Sequence, residues 1–388
     1  MEICISASIW FRLTAVAVAL YVVATFFLFI WGIRLRLRFI LHNWKKLTHY
    51  NPILGVPEDS NSSPLLNNSN HNVPAQKISQ VKILHVNDTK DSGVQVLRVY
   101  TYQSLVDATE NFLSVRCMYS DGLGQVFIGQ MVGTLEVVVI RRLKEYTHQS
   151  VKGFVDEALL LSQVTHPNLS KLIGYCAEQL NRLLVYEYVP GISLKDRLHG
   201  NFTCLDWNTR MKIVLGIARA LEYLQNTMKP PILHCFIGLS DIWLDGECSP
   251  KLSGFGVIRM YPSRYDVNCP YDMNRAYAYG LTDYHLAGKL TLQCDIHGFG
   301  LFLLEMISGR KPVFSLEDGS RQQLSLWVEP YLDDKQNLDE MVDQRLQGKF
   351  DKEGLYVACE LAEACLNQEP SRRPLISDIV KRIEGLVR

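Results

Sequence analysis

The sequence predicts an α+β fold in which a small sheet-bearing part precedes a larger helical part, with one membrane-spanning helix ahead of both. Three observations predict it: the β-branched run Leu135 to Ile140, apolar residues at helical spacing beyond Leu205, and an uncharged apolar stretch from Leu13 to Ile33. β-branched side chains suit a pleated surface, whereas recurrence at i, i+3 and i+4 marks a helix with one buried face.

In chain order, the first element is the apolar stretch. Roughly 21 residues at about 1.5 Å each match a hydrocarbon core of about 30 Å. Arg34, Arg36, Arg38, Lys45 and Lys46 follow the stretch and Arg12 alone precedes it, so the positive-inside bias places everything after Ile33 in the cytosol. A cleaved signal peptide would have a shorter apolar core and a small-residue cleavage site in place of the arginines. Residues 1–12 are then a short extracytoplasmic segment, and 34–96 a basic juxtamembrane segment and flexible linker rich in Asn, Ser and Pro. Asn61, Asn67 and Asn87 sit in Asn-x-Ser/Thr triplets, which matter only on a lumenal segment and are read as chance matches.

From about Val96 the chain is patterned for a core. Helices are expected over Lys152 to Val164, Met211 to Tyr223, Cys294 to Ile307 and Leu355 to Leu366. The 40 Lys plus Arg balance the 40 Asp plus Glu, so no overall field draws the chain to nucleic acid, which is excluded as a partner. The ten cysteines show no metal-ligand spacing and are read as reduced packing thiols.

Gly122-Leu-Gly124-Gln-Val126 followed by Val137-Val-Val-Ile-Arg141 suggests by itself only a glycine turn between strands. The order continues with Phe154-Val-Asp-Glu157, His166-Pro-Asn-Leu, Leu184-Val-Tyr-Glu-Tyr-Val-Pro-Gly, Leu205-Asp-Trp-Asn-Thr-Arg210, His234-Cys-Phe, Lys251-Leu-Ser-Gly-Phe-Gly256, Cys294-Asp-Ile-His-Gly-Phe-Gly300 and Arg372-Arg-Pro374. This succession resembles the kinase domain of plant receptor-like kinases and their Pelle relatives, over roughly residues 97–388. The resemblance implies a bilobal protein-kinase-like fold, with a five-stranded N-lobe over about 97–190 and a helical C-lobe over about 191–388. Nucleotide would ordinarily lie between the lobes.

Phosphoryl transfer needs a glycine loop over the phosphates, a lysine on them, Mg²⁺ ligands and an aspartate to take the hydroxyl proton. Of the glycine pattern, Gly124 and Val126 remain, while Tyr119 and Asp121 occupy glycine positions; a side chain there blocks close approach of backbone N–H groups, and Asp121 adds negative charge beside phosphate. Arg141 stands at the strand-lysine position, where it could pair with Glu157, and Val139 crowds the place of a small residue near the adenine. Phe236 stands at the general-base position and cannot accept a proton; Gly254 replaces the principal metal-binding aspartate. Asp241 remains as the one residual candidate for a cation.

These replacements lead to the expectation of no catalytic residues, no ATP or Mg²⁺ as cofactor, and no enzyme activity. Architectural positions are matched by Glu157, His234, Phe255, Asp295 and Arg373, with Asp283 in place of a glutamate that would meet Arg373. The resemblance implies that Phe255 and His234 stack with Leu161 in a column joining the lobes, and that Asp295 anchors the catalytic-loop backbone. Cys235 replaces an arginine that would hold a phosphate on the activation segment, where Tyr261, Ser263, Tyr265, Tyr271, Tyr277 and Tyr279 lie. The expected function is that of a single-pass pseudokinase, a scaffold or allosteric partner of active receptor-like kinases at the plasma membrane. Its alternatives are an atypical serine/threonine kinase using Asp241 and Arg141, and a non-catalytic ATP-binding switch.

Overall fold

The computed structural model describes residues 97–121, 123–144, 150–235, 237–257, 291–316, 319–333 and 335–387. They belong to one compact unit that begins at Thr89. The expected membrane helix 13–33, the linker 34–96, Phe236, Asp283 and the tyrosine-bearing segment lie outside the described residues. No described helix is long and apolar enough to cross a membrane.

The fold is bilobal. Its N-terminal lobe holds β1 (Arg98–Val99), α1 (Tyr102–Ala108), β2 (Cys117–Asp121), β3 (Gly124–Gln130), β4 (Val137–Leu143), α2 (Val151–Ser162), β5 (Leu172–Cys176) and β6 (Leu183–Glu187). The strands form one sheet in the order β1-β5-β6-β4-β3-β2. It has six strands rather than five because the short β1 adds in parallel to the edge of β5, and Tyr100 N–H extends the ladder to Tyr175 O at 2.8 Å.

The strand expected from Leu135 starts two residues later. Leu135 is 70% exposed and sits at φ +57° in the β3–β4 turn, so its β-branched-rich neighbourhood contributes to the sheet only from Val137 onward. Close approach between β3 and β4 requires Gly124: a Cβ there would lie 2.2 Å from Arg142 O. Ser150 Oγ accepts the Gly153 N–H at 3.1 Å and caps α2, whose buried face carries Phe154, Ala158 and Leu161 at a spacing of three to four residues.

The C-terminal lobe continues with β7 (Ile192–Ser193), α3 (Leu194–His199), α4 (Trp207–Glu222), β8 (Ile242–Leu244), β9 (Pro250–Leu252), α5 (Leu292–Ser308), the hairpin of β10 (Val313–Ser315) and β11 (Arg321–Gln323), α6 (Leu324–Asp333), α7 (Lys352–Cys365) and α8 (Ile376–Glu384). Asp206 caps α4 by accepting the Thr209 N–H at 2.8 Å. Every residue of α5 from Cys294 to Ser308 is buried, the polar Asp295, His297, Glu305 and Ser308 included, as for a helix running through the centre of a lobe.

One hydrophobic core spans both lobes. Phe154, Leu161 and Leu184 of the first join Leu252, Phe255, Phe299 and Leu361 of the second. The strands β7, β8 and β9 form a small sheet beneath the cleft, and Ser170 N–H reaches Leu252 O at 2.9 Å to tie the lobes through backbone.

Candidate functional site

Strand register assembles the site. Tyr119 pairs with Val126, Val126 with Arg141, and Arg141 with Leu184, which puts these four side chains in one row on one face of the sheet. The two-residue period adds Asp121 on β2 and Val139 on β4 to that face. Val126 is buried, and Val139, half-buried, packs against the interlobe core.

The opposite wall comes from the loop leading to β8. Asp241 ends a short turn over Leu239–Asp241, and its carbonyl accepts both Ser253 N–H at 2.8 Å and Ser253 Oγ–H at 2.9 Å. Its carboxylate thereby faces the sheet. Tyr119 Oη–H donates to Asp241 Oδ1 at 2.8 Å and accepts from Arg141 Nη2 at 2.9 Å. Arg141 Nη1 donates to Asp121 Oδ2 at 3.0 Å, and Nη2 lies 3.6 Å from Asp241 Oδ1. Asp121 Oδ1 also accepts the Leu123 N–H at 2.9 Å, which stiffens the β2–β3 turn.

The cluster is deeply buried: side-chain exposure is 3% for Arg141, 5% for Asp121 and 2% for Asp241. Burial opposes charge on Arg141, but Tyr119, Asp121 and Asp241 around it hold the guanidinium well above its usual pKa. Burial, then the neighbouring Asp241, pushes the Tyr119 phenol up, so its hydroxyl keeps its proton as donor. Arg141 thus meets Asp121, Tyr119 and Asp241; Glu157, the partner the sequence allowed, is half-buried on α2.

As arranged, these residues do not fit a nucleotide-bound divalent cation. Asp241 is already bonded by Tyr119 and next to Arg141, and Gly254 brings no donor. A Cβ built at Gly254, where φ is +82°, would stand 3.3 Å from Arg141 Nη2 and 3.7 Å from Asp241 Oδ1. The guanidinium therefore occupies the side of the cleft on which residue 254 would project. Among the described residues no group of three His, Cys, Asp or Glu could hold a metal.

Behind the cleft, Asp295 at the start of α5 is fully buried; its Oδ1 accepts the N–H groups of His234 at 3.1 Å and Cys235 at 2.5 Å. This holds Cys235 at φ +73°. Burial raises the Asp295 pKa, and His234 with these two N–H groups opposes the rise. The buried His234 ring places Nε2 at 2.8 Å from Ser253 O. Phe255 and Leu161 are both fully buried in the interlobe core, and Leu161 packs on the backbone of Gly256. Arg373 Nη1 and Nε donate to Gln293 O and Asn367 O, each at 2.8 Å.

One constellation escaped the sequence reading. Arg210 on α4 is fully buried and bonds Leu205 O, Met306 O and the Asp343 carboxylate, at 2.9, 2.8 and 2.5 Å. The signal was available: Arg210 lies on the same helical stripe as Trp207, Val214 and Ile217, all buried.

The profile of the family described as protein tyrosine and serine/threonine kinase matches residues 118–383. Two Arabidopsis thaliana proteins are similar over the same region. The probable serine/threonine-protein kinase PBL5 is 41% identical, covering 79% of this chain and 73% of its own length. The probable serine/threonine-protein kinase PBL6 is 39% identical over 77% of this chain and 73% of its own. Among solved structures, the pseudokinase domain of BIR2, an immune regulator of the RLK/Pelle family, superposes with TM-score 0.62 and 26% identity, over 73% of this chain and 85% of that one.

These relatives correct one expectation from the sequence. The absence of enzyme activity, inferred from the residues at 141, 236 and 254, is overturned by relatives that bear the names of serine/threonine kinases. Physically, a replaced side chain leaves open that a neighbouring group serves in its place, so counting replacements could not carry that conclusion. The chain belongs to the protein tyrosine and serine/threonine kinase family, within its plant RLK/Pelle branch.

Proposed function

We propose that this protein works in signalling as a binding partner of active receptor-like kinases, a scaffold or allosteric subunit tethered by residues 13–33 to the plasma membrane with its kinase domain in the cytosol. The observation that carries the reading is the buried Arg141 cluster: cleft residues that would face a ligand are bonded to one another, while the core joining the lobes is continuous. Such a domain keeps its shape, and hence its outer surfaces, from internal contacts. The structurally similar RLK/Pelle pseudokinase BIR2 is an immune regulator, which supports a regulatory role by analogy.

The test is proximity labelling by the tagged full chain in plant membranes, followed by binding of the purified full chain to each receptor kinase recovered. Direct, saturable binding to at least one receptor-like kinase is the expected result. If no receptor kinase is labelled above a control anchor carrying residues 1–96 alone, the reading falls.

A second reading, a serine/threonine kinase in its own right, is favoured by the names and identity of the relatives. Transfer of labelled phosphate to the chain itself or to a generic protein substrate by the purified full chain, lost on Asp241→Asn, would establish it.

A further inference from the structure

The misfit between the cleft and a metal-bound nucleotide has a cause that the geometry names. Arg141 carries the only positive charge among the cluster's four side chains and lies between two carboxylates from different lobes, Asp121 and Asp241, at 3.0 and 3.6 Å. Tyr119 bridges the same span by donating to Asp241 and accepting from Arg141, so sheet and loop are joined by a hydroxyl and a guanidinium at once. The Arg141 Cζ also lies 5.6 Å from the centre of the Tyr119 ring. A divalent cation bound with phosphates would neutralise acidic groups at the back of such a cleft and draw its walls together; here a protein cation does both.

We propose that Tyr119, Asp121, Arg141 and Asp241 form an autoinhibitory latch, in which the Arg141 guanidinium occupies the nucleotide cleft as an internal cation and must be displaced before a nucleoside triphosphate can enter. The parts are matched to that task. The arginine fork is long enough to reach both carboxylates, which a compact ammonium on a shorter stem would not bridge. Gly254 leaves room for it, since a side chain there would begin 3.3 Å from Nη2. The groups that hold the guanidinium in the cluster are side chains, Asp121, Tyr119 and Asp241, so rotamer changes suffice to release it.

A closed latch lowers apparent affinity by the fraction of molecules in which it is open. The test is calorimetric titration of the purified full chain with ATP and Mg²⁺, comparing wild type with Tyr119→Phe/Asp121→Asn and, separately, with Arg141→Lys. The double variant removes one hydroxyl and one charge at nearly constant volume; the lysine keeps the charge but cannot span both carboxylates. A latch closed about nine times in ten predicts roughly tenfold tighter binding in either variant. Cooperative melting of each variant certifies that it is folded, and if one fails, the other decides. Affinities equal to wild type in the folded variants, or no binding by any of them, would overturn the latch. Receptor-kinase association, measured on its own, leaves this result untouched either way.

Discussion

Of the arginines buried among the described residues, Arg141 and Arg210 each lie against an aspartate, and they are held in opposite ways. Arg210 in the C-terminal lobe donates to two backbone carbonyls as well as to Asp343, and Asp343 is held in turn by Arg345 Nη2 at 2.8 Å. Arg141 is held in its cluster by side chains, drawn from β2 and from the loop before β8. Backbone carbonyls belong to the fold itself, so releasing Arg210 means moving the chain; side-chain partners can turn away one at a time. Both guanidiniums are buried and paired with a carboxylate, and the difference in their other partners separates a rivet from a latch.

The largest effect should come from breaking the rivet. Arg210→Ala strips two buried carbonyls of a donor and leaves the Asp343 carboxylate to Arg345 alone, and should lower unfolding free energy by about 3–5 kcal/mol, read from urea denaturation of the full chain. Next is the apolar joint between the lobes, where Leu161→Ala should cost about 3 kcal/mol through lost burial and a cavity beside Gly256. Tyr119→Phe should cost less, about 1–2 kcal/mol, because Arg141 and Asp241 keep each other when the hydroxyl goes. If Tyr119→Phe matched Arg210→Ala, the distinction between the two centres would fail.

The smallest effect is in pH dependence. Burial, followed by the positive charges of Lys311 and Arg345, lowers the His199 pKa from 6.5 to about 4, despite Glu305 at 3.8 Å. The folded state thus prefers the neutral ring. The stabilisation is complete above the unfolded value of 6.5 and declines as pH falls from there through about 4. His199→Asn should flatten the dependence of Tm on pH in that window, whereas Tyr119→Phe should leave its slope unchanged, since the pKa values of Tyr119 and Arg141 are raised far above it.

Much of the architecture was legible because it depends on local period. The helices over 151–162, 292–308 and 352–365 follow apolar spacing, and the motif order of the kinase family identified both lobes. The site was legible only as a set of separate positions. Asp121 read as a negative charge against phosphate and Arg141 as an altered lysine, yet strand alternation puts them on one face, where each explains the other. The approach of Arg141 to Asp241, far along the chain, belongs to tertiary structure and has no local signature. Arg210 stood in the quoted motif order without a role, because its partners Met306 O and Asp343 come from far along the chain.

Gly254 has a consequence for how this chain could change by mutation. An aspartate there would begin from a backbone at φ +82° and send a third carboxylate toward a single guanidinium, with its Cβ already at 3.3 Å from Nη2. The substitution at 254 and the residue at 141 are therefore not independent: each sets the effect of the other. Placing aspartate at 254 while Arg141 remains passes through a crowded and over-acidic intermediate, so the route back to a metal-binding cleft runs uphill at its first step when residue 254 moves before residue 141.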